Sequence, residues 1–465
     1  MDTVKTVLLD STMREGELFR PLKVEAKVEL AKRLAAVGLR RVELPVDYPP
    51  RTTREDIQPV VDALDERGVE VVFHGRALRD DLEAAAKYNP FGVALYISPT
   101  KIHRIHKLHG ISYDEAVGRL VESVKLAKSY GFRYVRATVE DASRFYVEGE
   151  VETLVSTVKR LGEAGATLVS VPDTAGLLSP RKAADFMRKI QQSADVPLAA
   201  HFHNDYGMAS SNTVESILEG VAEAHTTILG VGDRNGIADL YEVVATLNDV
   251  HGLSIGVERA KLAELYSFFI KASGIRTPWR HPLSEESKTL RAGVHQAMAV
   301  EKPEGYIPSG KLEHDFQTPI FHVGVYTSHR LVASLTGLEA GDPRVREATE
   351  ALARRSREKS GRLTLAELRD VIKQTIAVEV DPRKVEKYIR GEKVYMLAKL
   401  NPRINPQTIL SELNSWDDVE AVDEVYGDAD FVVVGRMRFV EDNLVERFRK
   451  RFGKWVEDLK VLVAD

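Results

Sequence analysis

Eight times in the first 230 residues a short β-branched run ends in a polar residue and gives way to an amphipathic segment rich in Ala, Leu, Lys and Glu. The alternation predicts strands over Val4–Asp10, Arg41–Leu44, Val69–Phe73, Gly92–Ile97, Tyr134–Ala137, Leu168–Val171, Leu198–His203 and His225–Leu229. Between them a 3.6-residue apolar period predicts helices over Val24–Val37, Arg54–Glu66, Tyr113–Tyr130, Glu150–Ala164, Pro180–Gln192 and Ser210–Glu219. Several are stopped by glycine, at Gly38, Gly68, Gly131, Gly165 and Gly220. Strict βα alternation over roughly 250 residues specifies an α/β fold of the closed (β/α)8 TIM-barrel type rather than an open doubly wound sheet. Chemistry in such a barrel sits at the C-terminal strand ends. The conspicuous polar residues fall there: Asp10 through Glu17, Glu43, His74 with Arg76, Arg136 through Asp141, Asp173–Thr174, and His201 through Asp205.

The rhythm stops after Gly256. With 465 residues the chain exceeds one ordinary domain. We expect a barrel over residues 1–274 and lid and helical subdomains over 275–390. The lid is marked by Pro278, Pro282, Pro303 and Pro308, and the charged helical stretch by Lys311–Arg390. A small ferredoxin-like domain is expected over 391–465, where Val394–Leu400, Pro406–Asn414, Val419–Val425, Phe431–Met437, Val440–Phe452 and Val456–Val463 read as βαββαβ. The 65 Lys+Arg nearly balance the 70 Asp+Glu, a net charge of −5, which gives no field for nucleic acid or an anionic membrane. No apolar run approaches the roughly 20 residues that span a bilayer, and the first strand begins without a signal-like stretch, so a cytoplasmic location is expected. Cysteine is absent, which excludes disulfides and thiolate ligands and leaves His, Asp and Glu as candidates to hold a metal.

His201-Phe202-His203 is an H-x-H at a strand end, where period-two geometry turns both imidazoles to one side. Two neutral imidazoles and a carboxylate form a common catalytic site for a divalent ion such as Mg, Mn, Zn or Co, although an isolated H-x-H is more often a surface or core pair. Asp10-Ser-Thr-Met-Arg-Glu-Gly-Glu17 packs three acids and an arginine into eight residues. Its plain interpretation is a solvated loop. Its functional one gives Glu15 to the metal and Arg14 to a polarised substrate oxygen.

Together with Gly230-Val-Gly-Asp-Arg-Asn-Gly236, these segments resemble the acyl-CoA-condensing metalloenzymes that include homocitrate, isopropylmalate and citramalate synthases. The resemblance implies a divalent-metal-dependent condensation of acetyl-CoA with a 2-oxo acid, followed by thioester hydrolysis. The Arg-Glu-Gly form of the first motif, and Arg136 in Arg136-Ala-Thr-Val-Glu-Asp141, resemble the homocitrate branch, which uses 2-oxoglutarate and opens lysine biosynthesis by the aminoadipate route. There Arg136 would pair with the distal carboxylate; its structural alternative is an ion pair with Glu140 or Asp141. By the same resemblance Thr138, Thr174 and His74 contact the oxo acid, while His295 and Tyr306 supply the acid–base pair of the lid across a homodimer interface. The chain departs from that pattern at Leu18, Ala199 and Leu290, each removing a hydrogen-bonding group on the acetyl-CoA side. Val394–Asp465 resembles the amino-acid-binding module of leucine-responsive regulators, which implies feedback control, with lysine as effector. Against the leading expectation stand isopropylmalate or citramalate synthesis, a lyase of the same superfamily, and an amino-acid sensor on an inactive barrel.

Overall fold

A computed structural model describes residues 2–46, 52–315, 318–416, 418–437 and 443–464. The eight barrel strands are β1 (Val7–Asp10), β2 (Arg41–Pro45), β3 (Glu70–Arg76), β4 (Gly92–Ile97), β5 (Tyr134–Val139), β6 (Leu168–Ser170), β7 (Leu198–Ala200) and β8 (Glu223–Thr226). They pair in parallel in sequence order, and β1 closes on β8. This is the (β/α)8 barrel that the alternation predicts.

Several strand ends differ from expectation, β3 and β5 running on to Arg76 and Val139. β1 begins later because Asp2–Thr3 pairs instead with Leu253–Ser254, outside the barrel. β7 stops at Ala200, and Phe202 and His203 then make single bridges to Asp173 and Ile237, which carries the histidines beyond the sheet. β8 begins two residues early, at Glu223, and ends before Leu229, whose φ of 58° breaks the strand. An acidic residue reads as a strand boundary in sequence; here it is buried among cations.

Period-two geometry sorts the barrel side chains. Val72, Ala94, Tyr134, Leu168 and Ala199, from five consecutive strands, pack together as an apolar layer inside the barrel. One step further along the same strand faces stand His74, Tyr96, Arg136, Ser170 and His201, so the interior turns polar towards the C-terminal ends. The surrounding helices present apolar stripes to the outside of the sheet, such as Leu154, Val158 and Leu161 on Val151–Glu163. The glycine stops at Gly38, Gly68, Gly131, Gly165 and Gly220 all have positive φ.

The chain divides into two compact units, Met1–Ser273 and Gly274–Asp465. In the second, helices His329–Thr336, Pro343–Lys359 and Leu365–Ile376 bury Leu331, Leu352, Leu368 and Ile372 in one core. The stretch after residue 274 holds only short elements, including Gly293–Ala299 and the strand Thr289–Leu290, which pairs with Ile320–Phe321. The C-terminal segment is a four-stranded antiparallel sheet of β9 (Lys393–Leu400), β10 (Val419–Glu424), β11 (Phe431–Arg436) and β12 (Val456–Ala464), in the order β10-β11-β9-β12. Helices Pro406–Leu413 and Leu444–Phe452 cover one face, on which Val394, Met396, Phe431 and Phe448 are buried. The start of the second helix expected from residue 440 lies outside the described residues. No helix among the described residues is long and apolar enough to cross a membrane.

Gly38, which ends helix Val24–Ala36, tests this packing. Its φ is +91° and a Cβ there would lie 2.5 Å from the Gly256 carbonyl oxygen, whereas at Gly149, φ +78°, a Cβ would meet nothing within 4 Å. Gly149→Ala is therefore expected to cost only the left-handed backbone penalty, about 1 kcal/mol. Gly38→Ala is expected to cost about 2–3 kcal/mol in urea unfolding.

Candidate metal centre at the barrel mouth

Helix Thr12–Phe19 follows β1 almost without a loop, and its first turn carries Arg14 and Glu15. The turn is pinned by Asp10, whose carboxylate accepts from the Thr12 backbone N–H (3.0 Å) and hydroxyl (2.9 Å). Complete burial pushes the Asp10 carboxyl up to about 7 against those two bonds. A Cβ at Gly16 would come within 3.0 Å of Val231, so a small residue there lets the helix lie against the Gly230–Gly236 loop. That loop is tied to the histidine motif. Arg234 donates two bonds of 2.7 Å to Asp205, Asn235 Nδ2 donates to the Asn204 carbonyl (2.6 Å), and Asn204 N donates to the Gly236 carbonyl (2.9 Å). Gly236 has φ +79° and a Cβ would fall 1.8 Å from the Gly230 oxygen, so the closure requires glycine.

These restraints bring the Glu15, His201 and His203 side chains together, with one potential ligand atom from each lying within 4.8 Å of the others. Glu15 Oε1 is 3.8 Å from His201 Nε2, and the two imidazoles meet edge to face with ring centres 5.1 Å apart. Burial holds both rings below the usual histidine range, reinforced at His201 by His203 and His225 and opposed at His203 by Glu15. Nδ1 of His203 is buried without a hydrogen-bond partner among the described residues. Two neutral imidazoles, an adjacent carboxylate and an unsatisfied ring nitrogen fit a divalent cation.

Beside this group lies a buried lattice of charge. Arg14 pairs with Glu15 (2.7 Å) and with Glu43, and Glu43 also accepts from Ser11 (2.7 Å) and pairs with Arg136. Arg136 is 1% exposed; its Nη1 lies 3.1 Å from Glu223 Oε1 and 2.8 Å from His225 Nε2. Glu223 further accepts from Arg41 (2.5 Å) and the Tyr134 hydroxyl (2.9 Å). Burial alone would raise both carboxyls. Arg14 and Arg136 instead hold Glu43 well below the usual range, and His225, Arg136 and Arg41 bring Glu223 down to about 2.

The mouth encloses a cavity of about 800 Å³ whose lining includes Arg14, Glu15, His74, Arg136, Thr138, Ser170, Thr174, His201 and His203. Eight of the ten residues named from the sequence thus share one cavity. His74 stacks on Tyr96 with ring centres 5.0 Å apart, and burial together with Arg14 keeps it neutral. The Thr174 hydroxyl accepts from the Asp141 N–H (2.9 Å), while Thr138 Oγ1, Ser170 Oγ and Arg136 Nε are buried without a partner among the described residues. The structural alternative for Arg136 named the wrong acids: Glu140 pairs with Lys107 (2.7 Å) and Asp141 with Arg144 (2.5 Å), and Arg136 turns inward to Glu43 and Glu223. His295 and Tyr306 belong to the second unit, where their rings stack 3.9 Å apart and Tyr306 is half exposed. Of the departures, Leu18 is exposed on the cavity wall, Ala199 is fully buried in the apolar layer, and Leu290 packs against the helical core.

Sequence reasoning missed Glu223, His225 and Ser170. Glu223 and His225 are two apart on one strand, a spacing that puts both on the interior face. The signal was present, but it was masked by starting that strand at His225.

Among proteins of known kind, the chain is 29% identical over 361 residues to a 2-isopropylmalate synthase of Sulfolobus acidocaldarius, covering 76% of this chain and 91% of that one. It is 33% identical over 310 residues to a homocitrate synthase of the same organism, covering 65% of this chain and 64% of that protein, less than two thirds of its length. Among solved structures, the hydroxymethylglutaryl-CoA lyase of Pseudomonas aeruginosa matches with a TM-score of 0.50 at 22% identity, over 60% of this chain and 97% of that one. The HMG-CoA lyase of Bacillus subtilis matches with a TM-score of 0.51 at 21% identity, over 60% and 97%. At this identity the two structures speak for the barrel fold alone. The HMGL-like family matches residues 5–268, more than half of the chain and the whole run of elements that builds the barrel mouth, and the chain belongs to that family.

Proposed function

We propose that the protein is a divalent-metal-dependent synthase that condenses acetyl-CoA with a 2-oxo acid and then hydrolyses the thioester, and that its oxo acid is 2-oxoglutarate, making it a homocitrate synthase of lysine biosynthesis in the cytoplasm. The observation that carries this is the meeting of Glu15, His201 and His203 with Arg14, Arg136 and Thr138 in one cavity. The names of the relatives support the reaction class but divide between two oxo acids.

Glu15, His201 and His203 would hold the cation, which supplies Lewis-acid polarisation of the ketone. Arg14, anchored by Glu15 and Glu43, faces the cavity and is placed to donate to the oxygen on which negative charge develops. His295 and Tyr306 are the proposed acid–base pair. One of them takes the weakly acidic methyl proton of acetyl-CoA, and their mutual stacking keeps both rings in one place. In a homodimer this pair would act on the partner's barrel.

A dicarboxylate is favoured by the donors left over in the cavity. Thr138, with an unpartnered hydroxyl, and Arg136, with an unpartnered Nε, are the proposed donors to the distal carboxylate, with Thr174 and His74 completing the oxo-acid contacts. One observation favours the runner-up: the Arg136 guanidinium already serves Glu43 and Glu223, and an arginine so employed suits isopropylmalate or citramalate synthesis as well. The C-terminal sheet domain, proposed as residues 391–465, is the amino-acid-binding regulatory unit with lysine as effector, and residues 275–390 are the lid and helical subdomains joining it to the barrel at residues 1–274.

Thiol release from acetyl-CoA tests this directly. Turnover is expected with 2-oxoglutarate plus Mg²⁺, Mn²⁺, Zn²⁺ or Co²⁺, and none after chelation. Preference for 2-oxoisovalerate or pyruvate would move the protein to the isopropylmalate or citramalate reaction, and silence with every oxo acid would favour an amino-acid sensor. Thr138→Val should raise KM for 2-oxoglutarate about tenfold, the loss of roughly one hydrogen bond to a charged group, while leaving Mn²⁺ affinity unchanged. In calorimetry His203→Ala should lose most of the divalent-ion binding of the parent chain; equal binding by both would remove the metal centre from the account.

A further inference from the structure

His225 stands in contact with the candidate metal centre and Glu223 stands behind it, yet neither has a role in the proposed reaction. His225 Nδ1 lies 3.1 Å from His201 Nδ1, and its Nε2 lies 2.8 Å from Glu223 Oε1. All three side chains are buried. We infer that His225 and Glu223 are positioning residues, a hydrogen-bond relay that fixes His201 in the one tautomer able to bind a cation. The inference rests on Glu15, His201 and His203 as ligands and is independent of which substrates the enzyme takes.

Counting the ring protons fixes the tautomers. His201 directs Nε2 towards Glu15, at 3.8 Å, so Nε2 is the nitrogen that would offer a lone pair to the ion. A neutral imidazole has one N–H, which must then sit on Nδ1 and be donated. The group it faces is His225 Nδ1, which can accept only if the His225 proton is on Nε2. That proton in turn needs an acceptor, and Glu223 Oε1 is in place at 2.8 Å. Every step of the chain is thereby set by a carboxylate whose other oxygen, Oε2, accepts from Arg41 and Tyr134.

A competing arrangement is built into the same atoms. Arg136 Nη1 is 2.8 Å from His225 Nε2, and if it donated there the His225 proton would move to Nδ1. His201 Nδ1 would become the acceptor and its Nε2 would carry hydrogen towards Glu15, closing the site to a cation. Arg136 has Glu43 and Glu223 Oε1 as alternative acceptors, whereas a proton on His225 Nε2 has Glu223 as its acceptor among the described residues. The carboxylate-anchored tautomer is therefore compatible with metal, and the arginine-anchored one is not. Outer-shell partners that orient a ligating histidine typically change metal affinity 10–100-fold.

Two substitutions and one spectrum test the relay. His225→Phe keeps the ring and removes both nitrogens, while His225→Gln can accept from His201 and donate to Glu223 through one amide. Titration of the full-length protein with Mn²⁺ or Zn²⁺ against a competing chelator should show the Phe variant 10–100-fold weaker and the Gln variant within a few-fold of the parent. Long-range ¹⁵N–¹H spectra of the zinc-loaded parent chain should show His201 protonated on Nδ1 and His225 on Nε2. Undiminished affinity in a folded Phe variant would overturn the relay, as would a Gln variant as weak as Phe or a His201 ring protonated on Nε2. Where the Phe variant does not fold, the spectrum of the parent chain decides. A parent chain that takes up no ion overturns both the relay and the metal centre, whereas loss of the relay alone leaves the proposed reaction standing.

Discussion

Glu43 shared between two arginines is the contact on which the rest of the barrel mouth depends. Glu43, fully buried, stays ionised because both arginines face it, and each arginine has a second acid, Glu15 for Arg14 and Glu223 for Arg136. Truncating Glu43 breaks two buried ion pairs at once, a loss of about 3–5 kcal/mol. The arrangement fixes Arg14 beside Glu15 and, through Arg136, anchors Glu223 and His225 behind His201. A cavity that would otherwise be an apolar barrel core thus becomes a rigid polar socket, with its donors set before any ligand arrives.

Much of this was legible in the amino-acid sequence for a simple reason. A βα repeat of constant rhythm has few ways to fold, and closure puts every strand's C-terminal end at one mouth, so residues as distant as Glu15 and His203 could be assigned to one site without any knowledge of their contacts. The βαββαβ pattern after residue 390 was readable on the same grounds, because alternation along β9 matches a sheet covered on one face. What escaped were partnerships across the barrel interior. Arg136 has acids at Glu140 and Asp141 close by in sequence, but those lie beyond the strand end, while the same-face period of two directs the arginine inward to acids on β2 and β8. Ser170 was invisible because a serine in an apolar strand carries no sign of being left without a partner; only packing reveals it.

The departures at Leu18, Ala199 and Leu290 acquire a physical meaning from their surroundings. Ala199 belongs to the apolar layer with Tyr134 and Leu168, beneath the histidines and not among them, so a small residue there serves packing. Leu290 completes the helical core of the second unit. Leu18 alone touches the cavity, as an apolar surface beside charged neighbours. The residues proposed for the metal and the oxo acid all line the one cavity.

The central claim is that one cation is held by Glu15, His201 and His203 with an oxo acid beside it. Anomalous diffraction from crystals grown with Mn²⁺ and 2-oxoglutarate measures this most directly. The account predicts one strong peak at about 2.0–2.2 Å from a Glu15 oxygen, His201 Nε2 and a His203 nitrogen, with the ligand's far carboxylate directed at Thr138 and Arg136. A peak elsewhere, or three side chains turned away from a common point, would contradict it.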